Sequence, residues 1–156
     1  MTNKRALFEV FMDRMTVSQE AGMPFEAAWY AYAILEDRLV SLLRNSGGEN
    51  DHKGKPIRMM GNKIKELRDR TSNDQLLAAY FPEHDVEDKK QTALWKWKED
   101  RDELMHGMAS GELTLEQIDG LVQRVATEGA SLARDYANAA TLLKKHRSKV
   151  PIPPKG

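Results

Sequence analysis

The chain contains no cysteine. That absence removes disulfides, thiolate nucleophiles and cysteine-based zinc sites together, and it suits a reducing compartment. Long apolar runs are missing as well, and none approaches the roughly 20 residues that a membrane span requires. The first residues, MTNKRALFEVFMDRM, carry acids inside their apolar stretch and lack a small-residue cleavage site, so they do not read as a secretion signal. A cytoplasmic protein without membrane contact is expected. Strand signals are scarce, because nowhere do β-branched residues alternate with polar ones. Nor does charge lean one way: 24 basic side chains stand against 24 acidic ones. Coating of nucleic acid by bulk positive charge is thereby excluded, and any such contact must be local. No glycine-rich phosphate loop, nucleophile elbow or paired-histidine metal motif occurs. No cofactor and no resident metal are expected.

What the sequence does have is helical period. Its 156 residues, 40% of them hydrophobic and 31% charged, suit one globular domain with a buried core. A first helix from Lys4 to Gln19 aligns Leu7, Val10, Phe11, Arg14 and Met15, and Gly22 and Pro24 punctuate its end. Pro24 opens a second helix to Arg44, striped by Ala28, Ala31, Leu35, Leu39 and Leu42. Residues Asn45 to Pro56 are polar, glycine-rich and without period, and are predicted to be a mobile loop. Helices follow over Ile57–Arg70 and, briefly, Asn73–Tyr80. A longer one runs from Asp85 or Val86 to His106, with Gly107 as its C-terminal cap. Thr114 and Gln117 form a capping box for the last helix, to Lys145. Along it Ile118, Val122, Val125, Gly129, Leu132, Tyr136, Ala139 and Leu143 recur at spacings of four and three, a seam in which Gly129 permits close approach. The expected architecture is all-α: an antiparallel bundle of four long helices and one short one, with the Ile57–Arg70 helix beside them, over residues 1–148, followed by an extended proline-rich tail, 149–156.

With thiols excluded, histidines and carboxylates carry any chemistry. His52 in the glycine-rich loop and His146 in a basic run read as solvated. His84, in Glu83-His84-Asp85, lacks further ligands at helical spacing and reads as a capping or packing residue. Lys63, Lys65, Arg68 and Arg70, with Lys96 and Lys98, read as solvated faces. His106 differs in its setting. At about 100° per residue, Leu94, Trp97, Leu104, Met105 and Met108 mark an apolar stripe with Arg101 in its middle, while His106 stands one turn beyond Asp102. An arginine so placed must find an acid, a second subunit or a ligand. In one reading Arg101 pairs with Glu36 and His106 favours the negative end of its helix. In the other, Arg101, Asp102 and His106 serve phosphodiester cleavage. RNA carries its own nucleophile, so such a site needs a group that moves protons near neutral pH and a fixed cation for the phosphorane.

The run Arg101-Asp102-Glu103-Leu104-Met105-His106 resembles the signature of the HEPN superfamily: arginine, a polar residue, and histidine four to six positions on, late in a small helical bundle. The helix with Ala33-Ile34-Leu35-Glu36-Asp37 is similar to that family's acidic early helix, and the likeness spans Phe25 to Tyr136. The resemblance implies a metal-independent endoribonuclease that cuts single-stranded RNA through its 2′-hydroxyl and leaves a cyclic phosphate. It also implies a homodimer whose two signatures face one cleft, acting in toxin–antitoxin, phage-defence or RNA-processing systems, with an antitoxin protein as a further partner. In it Arg101 holds phosphate, His106 is acid or base, Asp102 orients the pair and Glu36 anchors Arg101. Many members of the family are inactive, which leaves a non-catalytic dimerisation or partner-binding module as the alternative. Trp95 and Trp97, on different sides of one helix, add aromatic surface that favours dimerisation.

Overall fold

The computed structural model describes residues 3–154. Met1, Thr2, Lys155 and Gly156, at the ends of the expected domain and tail, lie outside the described residues. The described chain is all-helical: α1 (Lys4–Glu20), α2 (Pro24–Arg44), α3 (Met60–Thr71), α4 (Gln75–Tyr80), α5 (Ala93–Ser110) and α6 (Leu115–Arg147). None of these helices is long and apolar enough to cross a membrane. Local chemistry sets several of their ends. Asn3 accepts a hydrogen bond from the Arg5 amide at 3.0 Å, and Asp74 accepts one from the Leu77 amide at 3.1 Å. The expected box at α6 is formed: Thr114 Oγ1 accepts from the Gln117 amide, and Gln117 Oε1 from the Thr114 amide.

The helix expected from Asp85 or Val86 begins later, at Ala93. Residues before it are held in short 3-10 turns, Pro82–His84 and Lys89–Gln91. Asp88 and Gln91 close a capping box over the second turn, and Thr92 Oγ1 then accepts from the Trp95 amide to start α5. At its other end α5 passes through Gly107, expected as its cap, and stops at Gly111, whose φ is 71°. Gly107 serves another purpose, since a β-carbon there would collide with the Leu113 side chain.

The loop after α2 also departs from expectation. Asp51 Oδ1 accepts from the amides of Lys53 and Lys55 at 2.8 and 2.9 Å, and Asn50 forms an isolated bridge with Pro56. Arg70 reaches in from α3, donating to the carbonyl oxygens of Leu43 and Asn50 and to Ser46 Oγ. The segment thus has no apolar period because polar groups, rather than burial, hold it.

Contacts gather the chain into two compact units, Met1–Leu35 with Trp97–Asp135 and Glu36–Lys96 with Tyr136–Gly156. In the first, Trp97 is sealed at 1% exposure. Its Nε1 donates to the Val125 carbonyl at 2.8 Å, and the ring lies against Gly129. Burying an indole requires such a partner for its N–H. Trp97 is therefore covered within the chain and adds nothing to dimer surface. Of the stripe expected on α1, Met15 is buried, Phe11 packs on Tyr30 with centroids 5.8 Å apart, and Leu7 and Val10 stay exposed. Arg134 fixes α1 by donating to Thr16 Oγ1 and Gln19 Oε1.

The second unit buries Leu39, Leu43, Ile64, Leu67, Leu77 and Leu143, and also an ion pair between Arg147 and Asp74. Arg147 also donates to the carbonyls of Asn45 and Pro151, tying the start of the tail to the helices. Along α6 the seam is largely as expected, with Val122, Val125, Gly129, Tyr136 and Leu143 buried.

Gly129→Ala tests the central contact. An alanine in a helix interior is worth about 1 kcal/mol over glycine. Its methyl, however, would sit 2.8 Å from Trp97 Nε1, and overpacking costs about 1–3 kcal/mol before any loss of the indole hydrogen bond. Denaturant unfolding should show a net destabilisation of about 2 kcal/mol. A stabilised variant would mean that Trp97 can shift aside.

Candidate functional site

Because Trp97 and Leu104 face the core, Arg101 falls on the same side of α5, and Asp102 and His106 turn towards solvent. Arg101 retains 24% exposure of its side chain. Its guanidinium lies 4.3 Å over the Tyr32 ring, and Nη2 donates to Asp102 Oδ1 at 2.9 Å. An aromatic face and an acid thus satisfy the arginine that interrupts the apolar stripe. Asp102 Oδ2 accepts from Lys98 Nζ at 2.8 Å. Partial burial pushes the Asp102 carboxyl up, but hydrogen bonds from Lys98 and Arg101, with their charges, outweigh it and hold the group below the usual carboxylate range. His106 is exposed. With Asp102 and Met105 it lines an open hollow of about 340 Å³.

Three of the four predicted site residues thus stand on one stretch of α5: Asp102 bonds Arg101 and borders the same hollow as His106, a hollow that Arg101 does not line. Glu36, expected to anchor Arg101, instead pairs with Lys63. Lys63 was expected on a solvated face and is buried. The position of His106 also weakens the helix-end reading, since α5 continues to Ser110 and a helix dipole acts mainly within the last turn. Two aromatic members of this surface escaped the sequence reading. Tyr32 carries the Arg101 cation, and Trp29 lies beside it with ring centroids 6.1 Å apart. The legible signal was their spacing of three, which puts both on one side of an alanine-rich helix.

The second unit holds other candidates. A hollow of about 660 Å³ is lined by Arg44, His52, Arg70, Asp74 and the tail residues Ile152 to Pro154, among others. Its charges are engaged locally: Arg44 with Glu49, Arg70 with Glu66 and Asp74 with Arg147. His146, expected in solvent, is half-buried and hydrogen-bonded to Tyr80. Trp95 is half-buried under the Lys89 ammonium at 4.6 Å. Among the described residues no group of three or more histidines and carboxylates gathers in a way that could hold a metal ion.

His84 is fully buried. Tyr136 gives its hydroxyl proton to Glu83, so the 2.8 Å contact between His84 Nε2 and Tyr136 Oη has the imidazole donating. The bare Nδ1 is left without a hydrogen-bond partner among the described residues. Burial pushes the His84 pKa down to about 4 from the ordinary 6.5, and burial followed by the Glu83 charge pushes the Tyr136 hydroxyl up. Packing, as expected for His84, is its role.

In comparisons with models of protein families, with curated proteins and with solved structures, nothing matches the chain.

The buried imidazole makes a pH prediction. The unfolded chain takes up this proton near 6.5 and the folded chain near 4, so stability is complete above the higher value and erodes as pH falls towards the lower one. Between about pH 7 and about pH 5 the loss should reach about 2 kcal/mol. His84→Gln keeps a donor for Tyr136 but cannot titrate, and its unfolding free energy should change less over that interval. Parallel profiles for the two proteins would assign the acid sensitivity to other groups.

Proposed function

We propose that the chain is a metal-independent endoribonuclease of the HEPN type, acting on single-stranded RNA as a homodimer in an antiparallel-bundle fold. The observation that carries this reading is the arrangement on α5. A part-exposed arginine is braced by an acid and an aromatic ring, and the same acid shares an open hollow with an exposed histidine. In the proposed reaction the 2′-oxygen of RNA attacks the adjacent phosphorus and the bond to the 5′-oxygen breaks. One imidazole accepts the 2′-hydroxyl proton and another protonates the departing 5′-oxygen, leaving a 2′,3′-cyclic phosphate and a 5′-hydroxyl. A single chain offers one His106, so the pair requires two copies facing each other. Arg101 neutralises charge on the phosphorane, for which a guanidinium fork is suited. Asp102 positions Arg101. Glu36, occupied with Lys63, is left outside this scheme. A toxin–antitoxin, phage-defence or RNA-processing role follows only from the family resemblance.

The test is cleavage of single-stranded RNA by purified protein in the presence of a chelator, with light scattering reporting a dimer. His106→Ala should slow cutting by at least about a hundredfold, the range of general acid–base contributions, without changing thermal stability. Arg101→Ala should do the same and still fold, because Asp102 keeps Lys98. Arg101→Lys should restore little, since a point charge cannot reproduce two-pronged contact. Equal residual cutting by the wild type and His106→Ala would expose a contaminating nuclease. The catalytic assignment would then give way to a non-catalytic binding module.

A further inference from the structure

We infer that Trp29 and Tyr32 form a stacking platform for a base of single-stranded RNA, next to Arg101. This rests on the ribonuclease reading and supplies its substrate-binding subsite. One exposed apolar residue is ordinary on a protein surface, and Trp29, 66% exposed, would mean little alone. Its neighbours give it meaning. The Trp29 ring lies 6.1 Å from Tyr32, tilted by 44°, and Tyr32 also carries the Arg101 guanidinium at 4.3 Å. Arg101 bonds Asp102, which shares its hollow with His106. The row therefore grades from an apolar ring, through a ring carrying a cation, to a hollow with a proton-transfer group. A nucleotide grades in the same order, from base to sugar and phosphate.

A hollow of about 280 Å³ beside Trp29 is lined by Phe25, Glu26 and Tyr30 as well. The Glu26 carboxylate repels phosphate and accepts from base amino groups, as carboxylates do from cytosine. It favours the base on the Trp29 side and the backbone on the Arg101 side. Base stacking on aromatic rings with an arginine beside them is how strands are held where bulk positive charge is lacking, and this chain has equal numbers of basic and acidic side chains. The facing copy of the proposed dimer has to leave this row open, since closing directly over it would desolvate Arg101 and Asp102.

Binding of a labelled 2′-O-methyl oligocytidine, whose blocked 2′-oxygen prevents cutting, tests this by fluorescence anisotropy alongside an abasic strand of equal length. The wild type should prefer the base-bearing strand. Trp29→Ala should weaken that strand about tenfold and leave the abasic one unchanged, whereas Trp29→Phe should retain most of the affinity. Thermal melts confirm that this exposed position leaves the fold intact. The inference is overturned if Trp29→Ala binds like the wild type, if the wild type ignores bases or binds neither strand, or if Trp29→Ala merely dissociates a dimer. Cutting of ordinary RNA is scored separately. Loss of cutting in His106→Ala with normal strand binding by Trp29→Ala would sink the platform alone. Base-dependent binding by a protein that never cuts RNA would sink the ribonuclease reading alone.

Discussion

The contact of Trp97 with Gly129 and the Val125 carbonyl sets the rotation of α5 about its axis, and the candidate site depends on that rotation. An indole has a large apolar body and one obligatory donor, so only a few orientations bury the first while satisfying the second. Once Trp97 is seated, the helical period leaves Arg101 and Leu104 on the same side and sends Asp102 and His106 round towards solvent. The signature is thus a consequence of core packing as much as of its own residue types. Smallness at Gly129 matters for the same reason, since any outward movement of α5 would carry Arg101 off the Tyr32 ring.

Three cations of the second unit are bound to other tasks. Lys63 is buried on Glu36, Arg147 is buried on Asp74, and Arg70 donates to the carbonyls of Leu43 and Asn50, a serine hydroxyl and Glu66. Burying a charge without a partner costs several kcal/mol (about 3–5 when one member of a buried pair is removed), so these residues organise the second unit and are poor candidates for holding RNA. At the site itself Lys98 and Arg101 share one anion, Asp102. Partly exposed charges of this kind are screened by salt and attract a strand weakly at long range. Affinity for a strand has to come from short-range contact, which is the physical setting in which exposed aromatic rings count most.

Much of the fold was legible because it is written in apolar period. The seam of α6, the stripe of α2 and the Thr114 capping box each have a local rule that reads them. The start of α5 was not legible, because Val86 and Leu94 sit at a helical spacing while Asp88, Gln91 and Thr92 compete through side-chain hydrogen bonds that period does not record. The loop after α2 hid its order in the same way: Arg70 lies 20 residues from one of the carbonyls it binds. Glu36 shows the limit for ion pairs. Its face on α2 could be read, but which of several cations meets it depends on tertiary geometry. Arg101, Asp102 and His106 were legible as a group because one helix carries all three, whereas Trp29 and Tyr32 come from a different helix and gain their meaning only through Arg101.

How Arg101 is held bears on what it can do. A guanidinium is planar, with donors around its edge and none on its faces. Tyr32 takes a face, and Asp102 takes an edge position at Nη2. These two contacts act in different directions, so together they fix both tilt and rotation of the group, while part of its edge remains to be directed at a phosphate. The depressed Asp102 carboxyl keeps that brace anionic well into mild acid, and Lys98 supports it from the other oxygen. Releasing the arginine from this brace therefore takes a pH below the usual carboxylate range. Since each chain supplies one His106, a proposed reaction in which one imidazole takes a proton and another gives one requires two facing copies.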